Sequence, residues 1–239
     1  MRQLNTNIWV AERDFKLAGL ELGNRMTIIK LSTGGLLLHS PVEFTSDLGK
    51  EIDALGSVEY IITPNNFHGL FTPIWCDAFP KAKHYSAKTP IGNSVTIALG
   101  EELQNHIAED IRIIKIDGIP KLNEFAFIHL KSSTLILTDI AFNIQQVRGW
   151  WSRFFFRLNG AWGKFGPSRV MKTMIEDPQA LRSSIEKMMA YNLNKIVVSH
   201  GSIVEENAKA ILDQAFQPIA ESKNSRYKRS SGLSPARCG

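Results

Sequence analysis

Three polar side chains fall where three apolar runs end. His68 follows "VEYIITP" (58–64), Asp139 closes "TLILTD", and His200 closes "KIVVSH". In α/β sheets the carboxyl ends of strands are where sites are built. Two imidazoles and a carboxylate meeting at one point suit a divalent ion such as Zn, Fe or Mn, and three protein ligands leave a coordination position open. Such a centre activates water for hydrolysis. Taken singly, such a residue is more often a hydrogen-bonding or capping group at a strand end; the trio makes the metal reading worth testing. His39 in "LLLHSPV" is a candidate ligand or orienting group beside it, and Asn143, shortly after Asp139, a candidate support for the loop. His129 shares its strand with Phe125 and Phe127 and reads as structural or surface, whereas His84 and His106 read as ordinary exposed histidines.

The elements that would position these groups alternate in period. "RMTIIKL" (25–31) and "GGLLLHSPV" (34–42) flank the turn signal "STGG" and form a hairpin or meander. The segment 45–56 sets Leu48, Ile52 and Leu55 on one helical face with Gly56 as C-cap. A buried strand at 58–64, an amphipathic segment at 70–80 and a strand at 81–87 follow. Residues 111–117, 124–130 and 133–142 read as consecutive strands, Asp177-Pro178 as a helix start, 195–201 as a last buried strand and 202–220 as a closing helix. Strands alternating with helices favour α/β layering with at least a partly parallel sheet. There is no internal repeat of residues. Residues 1–220 are expected to form a single domain and 221–239 a disordered basic tail.

Composition narrows the function classes. At 239 residues, 44% hydrophobic and 21% charged, the chain has enough apolar surface for a sizeable core. No apolar run nears the ~18 residues of a membrane span, and no signal-peptide pattern opens the chain, so a cytoplasmic protein without a transmembrane segment is expected. Cys76 and Cys238 are too isolated for a thiolate zinc site or a disulfide framework; Cys76 reads as apolar filler beside Trp75 and Cys238 as a tail thiol. Of the net charge of +5, the last nineteen residues carry five Lys/Arg against one acid. The body is therefore close to neutral, and no nucleic-acid partner is expected. The stretch 143–166 stands apart in its density of Trp, Phe and Arg. Trp150, Trp151, Arg153 and Arg169, with Lys164, could form a pocket for a small, anionic substrate. The same stretch could equally meet a membrane surface, a second copy in a homodimer, or simply the core.

The order of "TPNNFHG", "LTDIAFN" and "VVSHG" resembles the metallo-β-lactamase superfamily. "LLLHSPV", "LGSVEYIITPNNFH", "STLILTDIAFN" and "IVVSHG" carry a closer likeness to an uncharacterised bacterial branch of it, a domain of unknown function, over Ile8 to Ala220. The resemblance implies an αββα sandwich of two mixed sheets with helices on the outer faces. It also aligns the superfamily's HxHxDH signature with Thr63, Asn65, Phe67 and His68, so that only the last histidine is kept. The histidine of a later Gly-His turn has no counterpart, while the bridging aspartate is matched by Asp139 and the terminal histidine by His200. By this resemblance His68, Asp139 and His200 would hold at most one divalent metal, with no organic cofactor. Asp139 would ligate or act as base, and Asn65 would orient water or substrate. The implied activity is hydrolysis of an ester, thioester, lactone or phosphoester; the alternative is a binding protein that has kept the fold and lost the chemistry.

Overall fold

A computed structural model describes residues 1–88 and 96–230, with side chains through Ile219. The first half runs β1 (Arg2–Asn5), β2 (Ile8–Arg13), β3 (Lys16–Leu17), β4 (Leu20–Glu21), β5 (Asn24–Lys30), β6 (Leu36–His39), α1 (Ser46–Asp53), β7 (Val58–Thr63), α2 (Thr72–Ala78), β8 (Lys83–Ser86), β9 (Thr96–Ala98) and α3 (Glu101–Ile107). The second half runs β10 (Ile111–Lys115), β11 (Phe125–His129), β12 (Thr134–Leu137), α4 (Trp150–Leu158), α5 (Arg169–Thr173), α6 (Pro178–Met189), β13 (Lys195–Val198) and α7 (Ala208–Ser230).

Two mixed sheets form the framework. One has seven strands in the order β1-β2-β5-β6-β7-β8-β9, and the other four in the order β10-β11-β12-β13. Pairing is antiparallel from β1 to β6 and parallel from β6 to β9; in the smaller sheet only β12 and β13 are parallel. The inner faces meet in one core of Ile8, Ile29, Leu37, Ile62 and Tyr85 against Phe127, Ile136 and Val197, with Leu103 and Ile107 of α3 joining from the side.

Helices cover both outer faces. Leu48 and Ile52 of α1 and Trp75 of α2 pack on Ile28, Leu36, Leu38 and Ile61. Leu181, Ile185 and Met188 of α6, with Leu212 and Phe216 of α7, pack on Ile128, Leu135 and Leu137. Successive strand residues face opposite ways, so strands covered on both sides become unbroken apolar runs such as "LLL" in β6. The architecture is the expected αββα sandwich.

Local chemistry sets the helix ends. Thr45 caps α1 by accepting from Leu48 N, with Ala54 rather than Gly56 at the C-cap. Asp177 caps α6 by accepting from Gln179 N and Ala180 N, with Pro178 in the first turn. Other boundaries move from those expected. The strand read over 133–142 stops at Leu137, because the next three backbone N–H groups donate to the Glu124 carboxylate instead of to a ladder. The closing helix begins at Ala208, since Val204 pairs back on Ile196. It then runs to Ser230, into the stretch read as a tail; residues 231–239, with Cys238, lie outside the described residues. Cys76 is half-buried against the α1–α2 core cluster.

Candidate metal centre

Parallel pairing of Leu137 with Val198 brings the ends of β12 and β13 side by side, so Asp139 and His200 project from neighbouring loops. His68 arrives from the other sheet, on the turn that follows β7. Its Nε2 lies 3.2 Å from Asp139 Oδ2, and His200 Nε2 lies 3.4 Å from Asp139 Oδ1. One ligand atom from each of the three residues falls within 4.8 Å of the others. All three side chains are nearly buried.

Each imidazole is held by its far nitrogen. His200 Nδ1 donates to the carbonyl of Gly23 at 2.7 Å, and His68 Nδ1 shares a 2.7 Å hydrogen bond with Ser40 Oγ. A carbonyl can only accept, so His200 carries a hydrogen on Nδ1 and turns its Nε2 toward Asp139. Holding one ring nitrogen while presenting the other is how proteins orient metal-ligating histidines. Ligand bonds of ~2.0–2.1 Å in a tetrahedral site imply ligand–ligand separations of about 3.3 Å. The two contacts here are of that size but reach different oxygens of Asp139, and the three-atom set spreads to 4.8 Å, so closing on an ion asks a small inward turn of the side chains. The donor set and its spacing therefore fit a small divalent ion.

Electrostatics favour a cation at this point. Burial pushes the Asp139 carboxyl up, but His68 and His200 beside it pull it well below the usual range. Burial likewise lowers His68, and Asp139 more than offsets this, leaving the imidazole above its ordinary value. A buried carboxylate between two imidazoles is stabilised by positive charge, whether proton or metal.

The framework beneath the trio was largely hidden in the sequence. Glu124, fully buried immediately before β11, accepts from Thr138 N at 2.7 Å, Asp139 N at 2.8 Å, Ile140 N at 3.1 Å and Asn65 Nδ2 at 3.1 Å. Burial, followed by the nearby Asp139 carboxylate, raises its pKa; the donors from Thr138 and Asn65 pull the other way. A lone acid opening the apolar run "EFAFIHL" was the available signal. Arg25 forms a second clamp, donating to the carbonyls of Val198 and Gly201 while pairing with Glu12 at 2.7 Å. It ties β2 and β5 to the His200 turn. Asn143 supports the same turn, its Nδ2 donating to Ser202 O at 2.8 Å and its backbone N–H to His200 O at 3.2 Å. At Gly201, φ is +95°, and a Cβ would overlap the Asn143 carbonyl.

Several candidates sit differently from their sequence reading. The Asn65 amide is spent on the framework: Oδ1 accepts from Phe67 N and His68 N, and Nδ2 donates to Glu124, Thr138 and Asp139. Neither end is left to orient water or substrate. Thr63 faces α2, bonding Thr72 Oγ1 at 2.9 Å and His84 Nε2 at 3.0 Å, which makes His84 a half-buried, paired histidine rather than an exposed one. His39 stays outside the trio, packed edge-on against Phe127, with no partner for its Nε2. Burial, and then His68, push it down to about 3. Contact with the His68 ring falls instead to Ser40, whose φ of +58° turns it back toward the site. His129 is buried and bonded to Ser132, and His106 is exposed. Trp150, Trp151, Arg153 and Arg169 are all exposed, and none of them lines the cleft beside the His200 turn. The cleft beside the His200 turn, about 410 Å³, is lined by Glu12, Phe15, Arg25, Arg148 and Gly201 among others.

The model of the family described as "Domain of unknown function (DUF4336)" matches residues 5–149, more than half of the chain. The chain belongs to the DUF4336 family. No curated protein sequence matches it. Among solved structures, this DUF4336 chain is similar to a metallo-β-lactamase from Pontibacter korlensis, at TM-score 0.59 and 11% identity, over 90% of this chain and 97% of the other. It is similar to a metallo-β-lactamase from Erythrobacter litoralis, at 0.59 and 12%, over 92% and 95%. The flavodiiron protein of Giardia intestinalis aligns at 0.62 and 10%, over 92% of this chain and 59% of that one. At such identities the likeness speaks for the fold alone, and the DUF4336 chain has the metallo-β-lactamase fold. Among its described residues no helix is long and apolar enough to cross a membrane.

Proposed function

We propose that this chain is a mononuclear metal-dependent hydrolase, with His68, Asp139 and His200 holding one divalent ion. The observation that carries the reading is the pair of imidazoles anchored at Nδ1 by Ser40 and Gly23, with both Nε2 atoms turned on one carboxylate. When bound, such an ion supplies a Lewis acid that activates water and polarises a carbonyl or phosphoryl oxygen. The side chains have separate tasks. His68 and His200 offer neutral Nε2 donors, and Asp139 brings charge and a second oxygen able to accept a proton from water. Glu124 and Asn65 keep the Asp139 loop rigid. Substrates of the ester, thioester, lactone or phosphoester class follow from the fold, by analogy.

A second ion finds no support. Thr63 is turned to α2, Phe67 offers no donor, and the Asn65 amide is committed. Untagged protein, loaded in turn with Zn, Fe and Mn, should hold one equivalent per chain by elemental analysis. His200→Ala, which leaves two protein ligands, should lose that ion along with any esterase or phosphoesterase activity. Absence of metal under every loading condition would favour the non-catalytic binding protein instead, and two equivalents would refute the mononuclear reading.

A further inference from the structure

The exposed face of α4 has no role in the metal centre, and its chemistry is distinctive. On a helix of 100° per residue, Trp150, Phe154, Leu158 and Trp151 span one arc of about 100°. They are exposed by 79%, 54%, 57% and 47%. Ser152 and Phe156 point the opposite way and are buried. Arg153 and Arg157 lie along one border of the aromatic arc, their guanidinium groups 5.7 and 5.5 Å from the ring of Trp162. Val170, at the start of α5, is also 47% exposed.

Charge along the stretch that carries this face has a single sign. Between Asn143 and Ile175 the chain carries Arg148, Arg153, Arg157, Lys164, Arg169 and Lys172 and no acid. The β3–β4 hairpin packs on α4 through Ser152 and presents the exposed Leu17. Its Glu21 is occupied, accepting from Arg148 N and Gly149 N and pairing with Lys16.

We propose that this face docks on the surface of an anionic lipid membrane. Tryptophan and phenylalanine favour the headgroup boundary, and arginines at its edge pair with lipid phosphates, which is the composition of an interfacial amphipathic helix. At nine residues α4 lies on a bilayer rather than spanning it. A second copy of the chain fits less well. A twofold contact through the same patch would set arginines against arginines, with no acid in the stretch to pair them. Single-stranded nucleic acid would use the rings and the charge but leaves Leu158 and Val170, exposed aliphatic side chains, without a stacking partner.

The test is co-sedimentation of the full chain with phosphatidylcholine vesicles, with and without phosphatidylglycerol, at low and high salt, alongside a blue shift of tryptophan fluorescence. Wild type should bind only the anionic vesicles and be released by salt. Arg153→Gln with Arg157→Gln should weaken binding about fivefold for each charge removed, roughly twenty-five-fold together. Trp150→Ser with Phe154→Ser should abolish it while leaving circular dichroism and metal content unchanged. Indifference to anionic vesicles at low salt, or equal binding by all variants, would overturn the proposal. So would a wild type that instead dimerises or binds single-stranded DNA through Trp150 and Phe154. None of these outcomes depends on the metal centre being catalytic.

Discussion

Replacing Glu124 with leucine keeps the approximate volume and removes the acceptor for four donors. Three of them are backbone N–H groups, of Thr138, Asp139 and Ile140, on residues at most 8% exposed. Each orphaned donor in such a place costs ~1–3 kcal/mol. The fourth, Asn65 Nδ2, still reaches Thr138 and Asp139 at 3.0 and 2.9 Å. Relief from burying a carboxylate opposes the loss. Three orphaned donors sum to ~3–9 kcal/mol, and relief of the carboxylate takes back part of it, leaving roughly 3–5 kcal/mol. We expect Glu124→Leu to lose about that much, a large share of a typical 5–15 kcal/mol. Glu124→Gln should fall between, since it keeps one acceptor oxygen but turns an N–H₂ toward a donor. Urea unfolding of the metal-free protein measures the difference, and hydrogen exchange at 138–140 localises it. A Glu124→Leu protein within ~1 kcal/mol of wild type, with those amides still protected, would refute the clamp.

Ser40→Ala removes the group holding His68 Nδ1 and should weaken metal binding by about 10–100-fold, measured by competition with a chelator, while the fold persists. Gly201→Ala sets a Cβ against the Asn143 carbonyl at a backbone angle L side chains rarely adopt; a loss of at least ~1 kcal/mol is expected, and a melting temperature equal to wild type would contradict the close approach. Burial pushes Asp110 up, but the Ser32 N–H and hydroxyl and the Lys131 ammonium outweigh it, so its pKa lies below the usual range. Its stabilising share is thus present above about pH 4, the unfolded value, and lost as pH falls through the folded one. Asp110→Asn should flatten that acid limb in unfolding measured against pH.

Short-range information made the strands and helices legible, whereas the two-sheet sandwich was implied by the resemblance of the motif order to the metallo-β-lactamase superfamily. Side-chain alternation and helix periodicity are local properties, so runs such as "LLLH" and "KIVV" declared strands covered on both faces, and Asp177-Pro178 declared a helix start. Strand ends are local too, which is why His68, Asp139 and His200 stood out together. What holds those three could be decided only by tertiary pairing. His200 leans on the carbonyl of Gly23, 177 positions away, and a carbonyl acceptor leaves no trace in residue identity. Ser40 reaches His68 only because β6 lies beside β7, and Glu124 meets Asn65 only once the two sheets have closed. The same closure ended β12 early, giving Glu124 the N–H groups that local propensity had assigned to a strand. Hydrogen-bond partners across a sandwich follow from register and sheet packing, and neither is written in the neighbourhood of a single residue.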